Sequence, residues 1–229
     1  MEHADLSHID NWIFDLDNTL YSGDVNFFAQ IDKKMTAFMS QYLSLPPSEA
    51  RVIQKEYLVE YGTTLSGLMA VHNMDPSEYL HFVHDIDLGI LIPDPRLHTA
   101  LSSLTGRKFI FTNGSRQHAK NVGEHLGIYG LFDGVFAIED IDYIPKPKKS
   151  AYVQFINAFN VDPMSAIMVE DSVRNLEAPK AMGMSTLLIT SQKDWSHEPE
   201  ASRPHDGINV PDHVDMHTHD LPSWLLALE

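Results

Sequence analysis

The sequence predicts an α/β protein: a doubly wound parallel sheet with an α-helical cap inserted after its first strand. Two observations point to this fold. From residue 108 onward, short apolar segments alternate with helical segments, which is typical of a parallel sheet covered by helices on both faces. Across residues 25–84, in contrast, apolar residues recur at helical spacing and no convincing strand is present.

The first strand is predicted at residues 12–14, an apolar Trp-Ile-Phe segment that ends at Asp15. Later strands follow from short apolar runs, at residues 108–112, 134–138, 166–169 and 185–189. The predicted helices between them cover residues 116–126, 150–159 and 173–182. A polar stretch then leads to a short terminal helix, predicted at residues 223–228.

Prolines mark the limits of the helical block. The Pro-Pro pair at 46–47 ends one helix and begins the next, and Asp75 with Pro76 has the pattern of a helix N-cap and first turn. Prolines at 93 and 95 end the block. We therefore expect residues 21–93 to form a helical cap, and residues 1–20 with 94–229 to form the α/β core.

Composition limits the class of protein. The 229-residue chain is 43% hydrophobic, enough for a buried core, and its net charge of −16 argues against a nucleic acid polymer as partner. No apolar run approaches the roughly 20 residues of a membrane span, and the first residues lack a signal-peptide pattern. Disulfides and thiolate metal sites are excluded because cysteine is absent. We expect a cytoplasmic protein with no membrane partner that acts on a small molecule.

Polar residues follow three of the predicted strands at the points where the strands end. The carboxyl ends of parallel strands lie at one edge of a sheet, so these residues are predicted to meet there. A lysine from a loop between two prolines joins them. The set consists of Asp15, Asp17, Thr112, Asn113, Lys146, Glu170 and Asp171.

The charges of this set indicate its chemistry. Carboxylates crowded together repel one another unless a cation joins them, and their hard oxygens suit a divalent ion such as magnesium. A phosphate beside them would also need positive charge, from the metal and from Lys146. With the charge balanced, a carboxylate can attack phosphorus. The set therefore predicts magnesium-dependent chemistry on a phosphate ester.

Four ordered segments resemble the motifs of the haloacid dehalogenase-like hydrolase superfamily. Residues 14–20 (FDLDNTL) resemble the first motif and residues 111–114 (FTNG) the second. Lys146-Pro147, with Tyr152 after it, resembles the third; residues 169–172 (VEDS), with Asn175 after them, resemble the fourth. The match spans nearly the whole chain and implies a Rossmann-type core with a helical cap.

This resemblance implies a role for each matching residue. Asp15 would be the nucleophile, and Asp17 would protonate the leaving oxygen and then activate water, which requires a raised pKa for Asp17. Thr112 and Asn113 would hydrogen-bond the phosphoryl group, and Lys146 would neutralise it. Magnesium would bind Asp15, Asp171 and the backbone carbonyl of Asp17. The supporting residues would be Thr19, Glu170, Ser172 and Asn175, and a purely structural role is an equal alternative for the last two.

Other features of the sequence narrow the range of expected substrates. Asn18 stands where many relatives have glycine, Tyr21 follows Leu20, and residues 60–68 (EYGTTLSGL) lie in the predicted cap. These features resemble the pyrimidine 5'-nucleotidase branch, which implies substrates such as UMP and CMP and makes Tyr21 and Tyr61 candidate substrate contacts. A sugar-phosphate or phosphoglycolate phosphatase, or a phosphomutase, is the alternative. Asp17 argues against a haloacid dehalogenase, which would not need a second carboxylate.

A histidine-rich segment, residues 197–219, raises a separate alternative. His213, His217 and His219 stand close to several aspartates in the sequence, and such a set can bind zinc. A polar connection before the terminal helix is the simpler interpretation.

Overall fold

The computed structural model describes residues 6–193, 195 and 203–228, and within them one six-stranded sheet forms the centre. Its strands are β1 (Asn11–Phe14), β2 (Arg107–Phe111), β3 (Gly134–Phe136), β4 (Ala166–Glu170), β5 (Ser185–Ile189) and β6 (Met216–Thr218). They lie in the order β3-β2-β1-β4-β5-β6, and each neighbouring pair is parallel. The predicted doubly wound parallel sheet is confirmed.

The strand β6 is a correction to the sequence prediction, because it lies in the stretch interpreted as a polar connection. Its residues pair with β5, with Met216 opposite Leu187. A three-residue Met-His-Thr segment has too few apolar positions to give a strand pattern. An outer strand needs fewer of them because it has a sheet neighbour on one side only among the described residues.

The helices confirm the inserted block. It consists of α1 (Phe28–Leu43), α2 (Pro47–Tyr61), α3 (Thr64–His72) and α4 (Pro76–Val83), here called the helical insertion, between β1 and β2. The remaining helices are α5 (Pro95–Ser103), α6 (Arg116–His125), α7 (Lys149–Phe159), α8 (Val173–Ala181) and α9 (Leu221–Leu226). Right-handed crossovers place α5 and α6 on one face of the sheet and α7 and α8 on the other. None of the helices in the described residues is long and apolar enough to cross a membrane.

Aspartate N-caps begin three of the described α-helices: α4, α5 and α9. The Asp75 side chain accepts from the backbone N–H of Ser77 with Pro76 in the first turn, as predicted. The helix α5 begins in the same way, with Asp94 accepting from the N–H of Arg96 at 2.8 Å. This helix, which begins at Pro95 after the inserted block, was not predicted from the sequence.

The position of Asp15 follows from the placement of β1. This strand is buried along its length and lies between β2 and β4. The backbone N–H of Asp15 donates to the carbonyl of Val169 at 2.9 Å, which extends the β1–β4 ladder by one bond. The Asp15 side chain is thereby held at the carboxyl edge, at the middle of the sheet.

Candidate active site

A cavity of about 280 Å³ lies at the carboxyl edge of the sheet, with walls from both the core and the helical insertion. The sequence-predicted residues that line it are Asp15, Asp17, Thr112, Asn113, Lys146, Glu170, Asp171, Ser172 and Asn175. The predicted residues Thr19, Tyr21 and Tyr61 lie outside its lining. The structure therefore brings together the strand-end residues that the sequence places at one edge.

Lys146 is the centre of the charged groups. Its ammonium donates to Asp15 Oδ1 and to Glu170 Oε1, each at 2.7 Å, and to the carbonyl of Phe111 at 2.8 Å. Its side chain is only 1% exposed. Burial opposes the charged form, but the carboxylates of Asp15 and Glu170 outweigh it and raise the pKa of Lys146 above its ordinary value. The lysine is therefore a fixed positive charge beneath the cavity.

Asp15 has an unusual titration for an aspartate. Burial raises its pKa to about 7, and the nearby charges of Glu170 and Asp17 add to this effect, while Lys146 opposes it. Its second oxygen, Oδ2, accepts a long hydrogen bond of 3.4 Å from the hydroxyl of Thr19. Further positive charge near the Asp15 carboxylate would therefore favour its ionised form.

Glu170 is fully buried and uses both oxygens to organise its neighbours. Besides Lys146, its Oε1 accepts from Asn175 Nδ2 at 2.6 Å, and its Oε2 accepts from the backbone N–H of Ser172 at 2.8 Å. The backbone carbonyl of Asn175 in turn accepts from the hydroxyl of Tyr152 at 2.6 Å. These bonds fix the loop after β4 and thereby the position of Lys146.

The acids form a site that suits a divalent cation. Asp15, Glu170 and Asp171 each offer one oxygen, and these atoms lie within 4.8 Å of one another. Burial, followed by the charges of Glu170 and Asp15, raises the pKa of Asp171 well above its usual range, while a hydrogen bond from Asn18 opposes the shift. A hard divalent ion such as Mg²⁺ would relieve this repulsion, so the donor set fits it.

Asp17 differs from the expectation drawn from its sequence. Its Oδ1 accepts from the Tyr21 hydroxyl at 2.7 Å and lies 2.8 Å from Nε2 of His118. Burial favours a raised pKa, but the interactions with His118 and Tyr21 outweigh it and hold the pKa of Asp17 below its usual value. The expected raised pKa of Asp17 is therefore wrong for this structure. The contact with His118 has no signal in the sequence, because His118 comes from a distant part of the chain.

Thr112 and Asn113 close the site at the end of β2. The Thr112 hydroxyl accepts from the backbone N–H of Gly114 at 2.9 Å. The side chain of Asn113 accepts from the N–H of Lys146 at 2.8 Å and donates to its carbonyl at 3.1 Å. Asn113 thus anchors the lysine loop to β2, and its hydrogen bond to a phosphoryl group stays a prediction.

The two predicted tyrosine contacts have different surroundings. Tyr21 is buried, and its hydroxyl belongs to the hydrogen bonds of Asp17. Tyr61 packs edge-on against Tyr57, with ring centroids 5.7 Å apart, whereas the next residues, 62–64, line the cavity. The position of Tyr61 therefore does not support a contact with substrate in this arrangement.

The C-terminal histidines do not form a metal site in the described residues. His213 Nε2 donates to the carbonyl of Val173 at 3.0 Å, and His217 lies in the outer strand β6. Among the described residues, the acidic trio is the group of acids or histidines close enough to hold a metal. Residues 197–202 of the histidine-rich segment lie outside the described residues.

Several residues of the site were not predicted. His84 also lines the cavity, as do the cations Arg174 and Arg203. Arg174 follows the fourth strand-end motif closely, so the strand-end rule gives a signal for it. Arg203 lies in a polar stretch and His118 in the first turn of α6, and neither position carries a local signal. Arg203 and His118 are recognised as site residues only in the folded structure, where Arg203 lines the cavity and His118 contacts Asp17.

Comparisons with known proteins agree with this architecture. A family model described as haloacid dehalogenase-like hydrolase matches residues 9–183. Phosphate metabolism protein 8 of Saccharomyces cerevisiae is 27% identical over 213 residues, covering 82% of this chain and 64% of that protein. Validoxylamine A 7'-phosphate phosphatase of Streptomyces hygroscopicus is 29% identical over 37% of this chain and 39% of its own length. The chain thus spans less than two thirds of these relatives.

A solved structure shows the same fold at low identity. The chain resembles the HAD phosphatase from Thermococcus onnurineus with a TM-score of 0.63 and 19% identity. The similarity covers 96% of this chain and 98% of that structure. The sheet, the helical insertion and the terminal elements therefore belong to one shared architecture.

Proposed function

The chain belongs to the haloacid dehalogenase-like hydrolase family, and we propose that it is a phosphatase acting on a small phosphate monoester. The observation that carries the proposal is the pair formed by Asp15 and Lys146, 2.7 Å apart, with Asp17 lining the same cavity. A nucleophilic carboxylate, a fixed cation and a second carboxylate are the groups that transfer of a phosphoryl group to aspartate requires. The phosphatase name of one relative supports the same reaction.

In the first step, an oxygen of Asp15 forms a bond to phosphorus while the bond from phosphorus to the ester oxygen breaks. Asp17 gives its proton to the leaving oxygen. The pKa of Asp17 is low without substrate, and the negative phosphoryl group that arrives beside it raises this pKa. In the second step, Asp17 takes a proton from water, which attacks phosphorus, releases inorganic phosphate and regenerates Asp15.

Positive charge comes from several groups. Lys146 holds Asp15 in place and offsets charge on the phosphoryl oxygens, and Thr112 and Asn113 are proposed to hydrogen-bond them. A bound Mg²⁺, held by Asp15, Asp171 and the backbone carbonyl of Asp17, would supply further positive charge to the transferring group. Glu170, Ser172, Asn175 and Thr19 are proposed as supporting residues, through the hydrogen bonds described above.

We propose a pyrimidine nucleoside 5'-monophosphate as the substrate. The walls of the cavity on the insertion side support a leaving group with both apolar and polar parts. Phe28, Ile31 and Leu58 give apolar surface. Beside them, Asp32 accepts from Gln54 at 2.8 Å and from Lys55 at 3.0 Å, so charged and amide groups reach the same cavity. A pyrimidine ring, with apolar faces and a hydrogen-bonding edge, has the matching chemistry.

We also propose that residues 21–93 act as a cap that admits substrate and excludes water. The cavity wall formed by α1, α2 and α4 supports this role, because the leaving group would lie between that wall and the core. The division into a cap and a core of residues 1–20 and 94–229 remains part of this proposal.

The test is phosphate release from a panel containing UMP, CMP, AMP, phosphoglycolate and hexose phosphates, with magnesium and with a chelator. The Asp15→Asn variant serves as the control for contaminating phosphatases. Magnesium-dependent turnover led by UMP and CMP is expected. Turnover led by another ester would reject the pyrimidine substrate and retain the phosphatase. No release from any ester would reject the phosphatase.

A further inference from the structure

A column of three stacked rings joins α6 to both ends of the helical insertion. The His118 ring is stacked with that of His84, at a centroid distance of 4.3 Å and an interplanar angle of 12°, and with that of Phe27, at 6.4 Å and 6°. Phe27 immediately precedes α1 and His84 immediately follows α4. His118 is only 1% exposed. The orientation of its ring is therefore set by residues at the two ends of the insertion.

Ser115 ties both His84 and His118 to the start of α6. His84 Nδ1 lies 3.0 Å from the Ser115 hydroxyl, and the same oxygen accepts from the backbone N–H of His118 at 3.1 Å. Ser115 is the N-cap of α6, so it links the start of this helix to the end of the insertion. His118 is fixed by its helix, by its stacking partners and by this serine.

The fixed ring contacts one oxygen of Asp17. Both described hydrogen bonds to this carboxylate, from Tyr21 and with His118 Nε2, are made by Oδ1. Among the described residues, Asp17 Oδ2 takes part in no such bond, and Asp17 lines the cavity. With Oδ1 held on one side, Oδ2 is the oxygen that can face the leaving group.

We propose that His118 is a positioning residue for Asp17, fixing its carboxylate so that Oδ2 meets the leaving oxygen when both ends of the insertion are seated. This inference rests on the proposed phosphatase reaction, in which Asp17 handles the proton. Precise placement of such a group accounts for large rate factors, so a freely rotating Asp17 would protonate the leaving oxygen poorly.

If His118 positions Asp17, the loss of activity on replacing His118 should depend on the leaving group of the ester. Phenyl phosphate and p-nitrophenyl phosphate differ mainly in how much the departing oxygen needs a proton, since p-nitrophenolate is stable without one. Loss of Asp17 placement should slow the first ester strongly and the second little. A histidine that only maintained the fold would affect both esters alike.

Two variants separate the hydrogen bond from the stacking. His118→Phe keeps a ring in the column and removes the bond to Asp17, while His118→Gln keeps a donor and removes the ring. For phenyl phosphate we expect kcat to fall on the order of 100-fold in His118→Phe and on the order of 10-fold in His118→Gln, with KM unchanged. For p-nitrophenyl phosphate, both variants should remain within about threefold of the unaltered chain.

The matched control is His125→Gln, on the same helix, because His125 Nε2 donates to the carbonyl of Leu91 and not to Asp17. Its ratio of the two kcat values should equal that of the unaltered chain. Equal losses on both esters in the His118 variants, or no loss on either, would overturn the positioning role while the phosphatase stands. If the unaltered chain hydrolyses neither of these esters and none of the phosphate esters in the panel above, the phosphatase and the positioning role both fall.

Discussion

The side-chain amide of Asn18 donates a 3.2 Å hydrogen bond to Asp171 Oδ2, which ties the loop after β1 directly to the loop after β4. Asn18 has a left-handed backbone with φ of 61°, a conformation that asparagine and glycine adopt with little cost. This explains why asparagine can stand where many relatives have glycine. The asparagine adds a contact to a proposed metal ligand that a glycine cannot make.

Substitution of Asn18 should therefore separate backbone conformation from the hydrogen bond. Asn18→Gly and Asn18→Ala both lose the bond to Asp171, but alanine also carries a Cβ into the left-handed region. We expect Asn18→Ala to be less stable than Asn18→Gly by about 1 kcal/mol in urea denaturation. Equal stabilities, or the reverse order, would contradict the backbone argument.

Removal of the Lys146 charge should destabilise the fold as well as end catalysis. In Lys146→Met, the buried carboxylates of Asp15 and Glu170 lose their shared cation, and we expect a loss of about 3–5 kcal/mol in unfolding free energy without magnesium. Adding Glu170→Gln should recover part of this loss. Lys148→Met, at an exposed position nearby, is the control and should change stability by less than about 0.5 kcal/mol. A similar loss in both lysine variants would argue against the buried pairs.

The raised pKa of Asp15 predicts how stability varies with pH. The native state holds this proton up to about pH 7 and the unfolded chain releases it near 3.8, so the contribution of Asp15 to stability is present at low pH. It is lost as pH rises from about 4 to 7. Without magnesium, Asp15→Asn should therefore gain in Tm relative to the unaltered chain across this range. A Tm difference that stays constant with pH would contradict this assignment.

Magnesium binding should offset the repulsion among the clustered carboxylates and so stabilise the native state. Binding to the native state adds about 2.7 kcal/mol of stability when the ion is 100 times above its Kd. We expect Asp171→Asn to shift the magnesium dependence of Tm to at least tenfold higher concentration, because one of three clustered carboxylates is lost. Asp212→Asn removes an exposed acid and should leave the titration unchanged. Equal shifts in both variants would indicate nonspecific screening.

The sequence predicts the strands β1 to β5 and the strand-end residues because both depend on local patterns. Apolar runs give the strands, and the parallel topology then requires Asp15, Lys146 and Asp171 to approach the same edge. The strand β6 escapes prediction because its pairing partner, not its own three residues, makes it a strand.

The surroundings of Asp17 escape prediction for a different reason. His118 lies 101 residues from Asp17 in the chain, and its contact depends on the placement of α6 against the loop after β1. The motif resemblance specifies which carboxylate is present. It does not specify which side chains from other elements surround that carboxylate and lower its pKa.

The short strand β6 has a consequence for how copies of this chain behave toward one another. A parallel strand with an open side offers its N–H and C=O groups as a template for foreign chains. Residues 216–218 cover β5, and the bond of 3.1 Å from Arg96 to Asp220 fastens the start of α9 to α5. The three-residue strand β6 then forms this edge of the sheet in the part of the chain that the structure describes. Removing the terminal segment would leave the longer apolar strand β5 at this edge of the sheet, and we expect a chain shortened in this way to self-associate more readily.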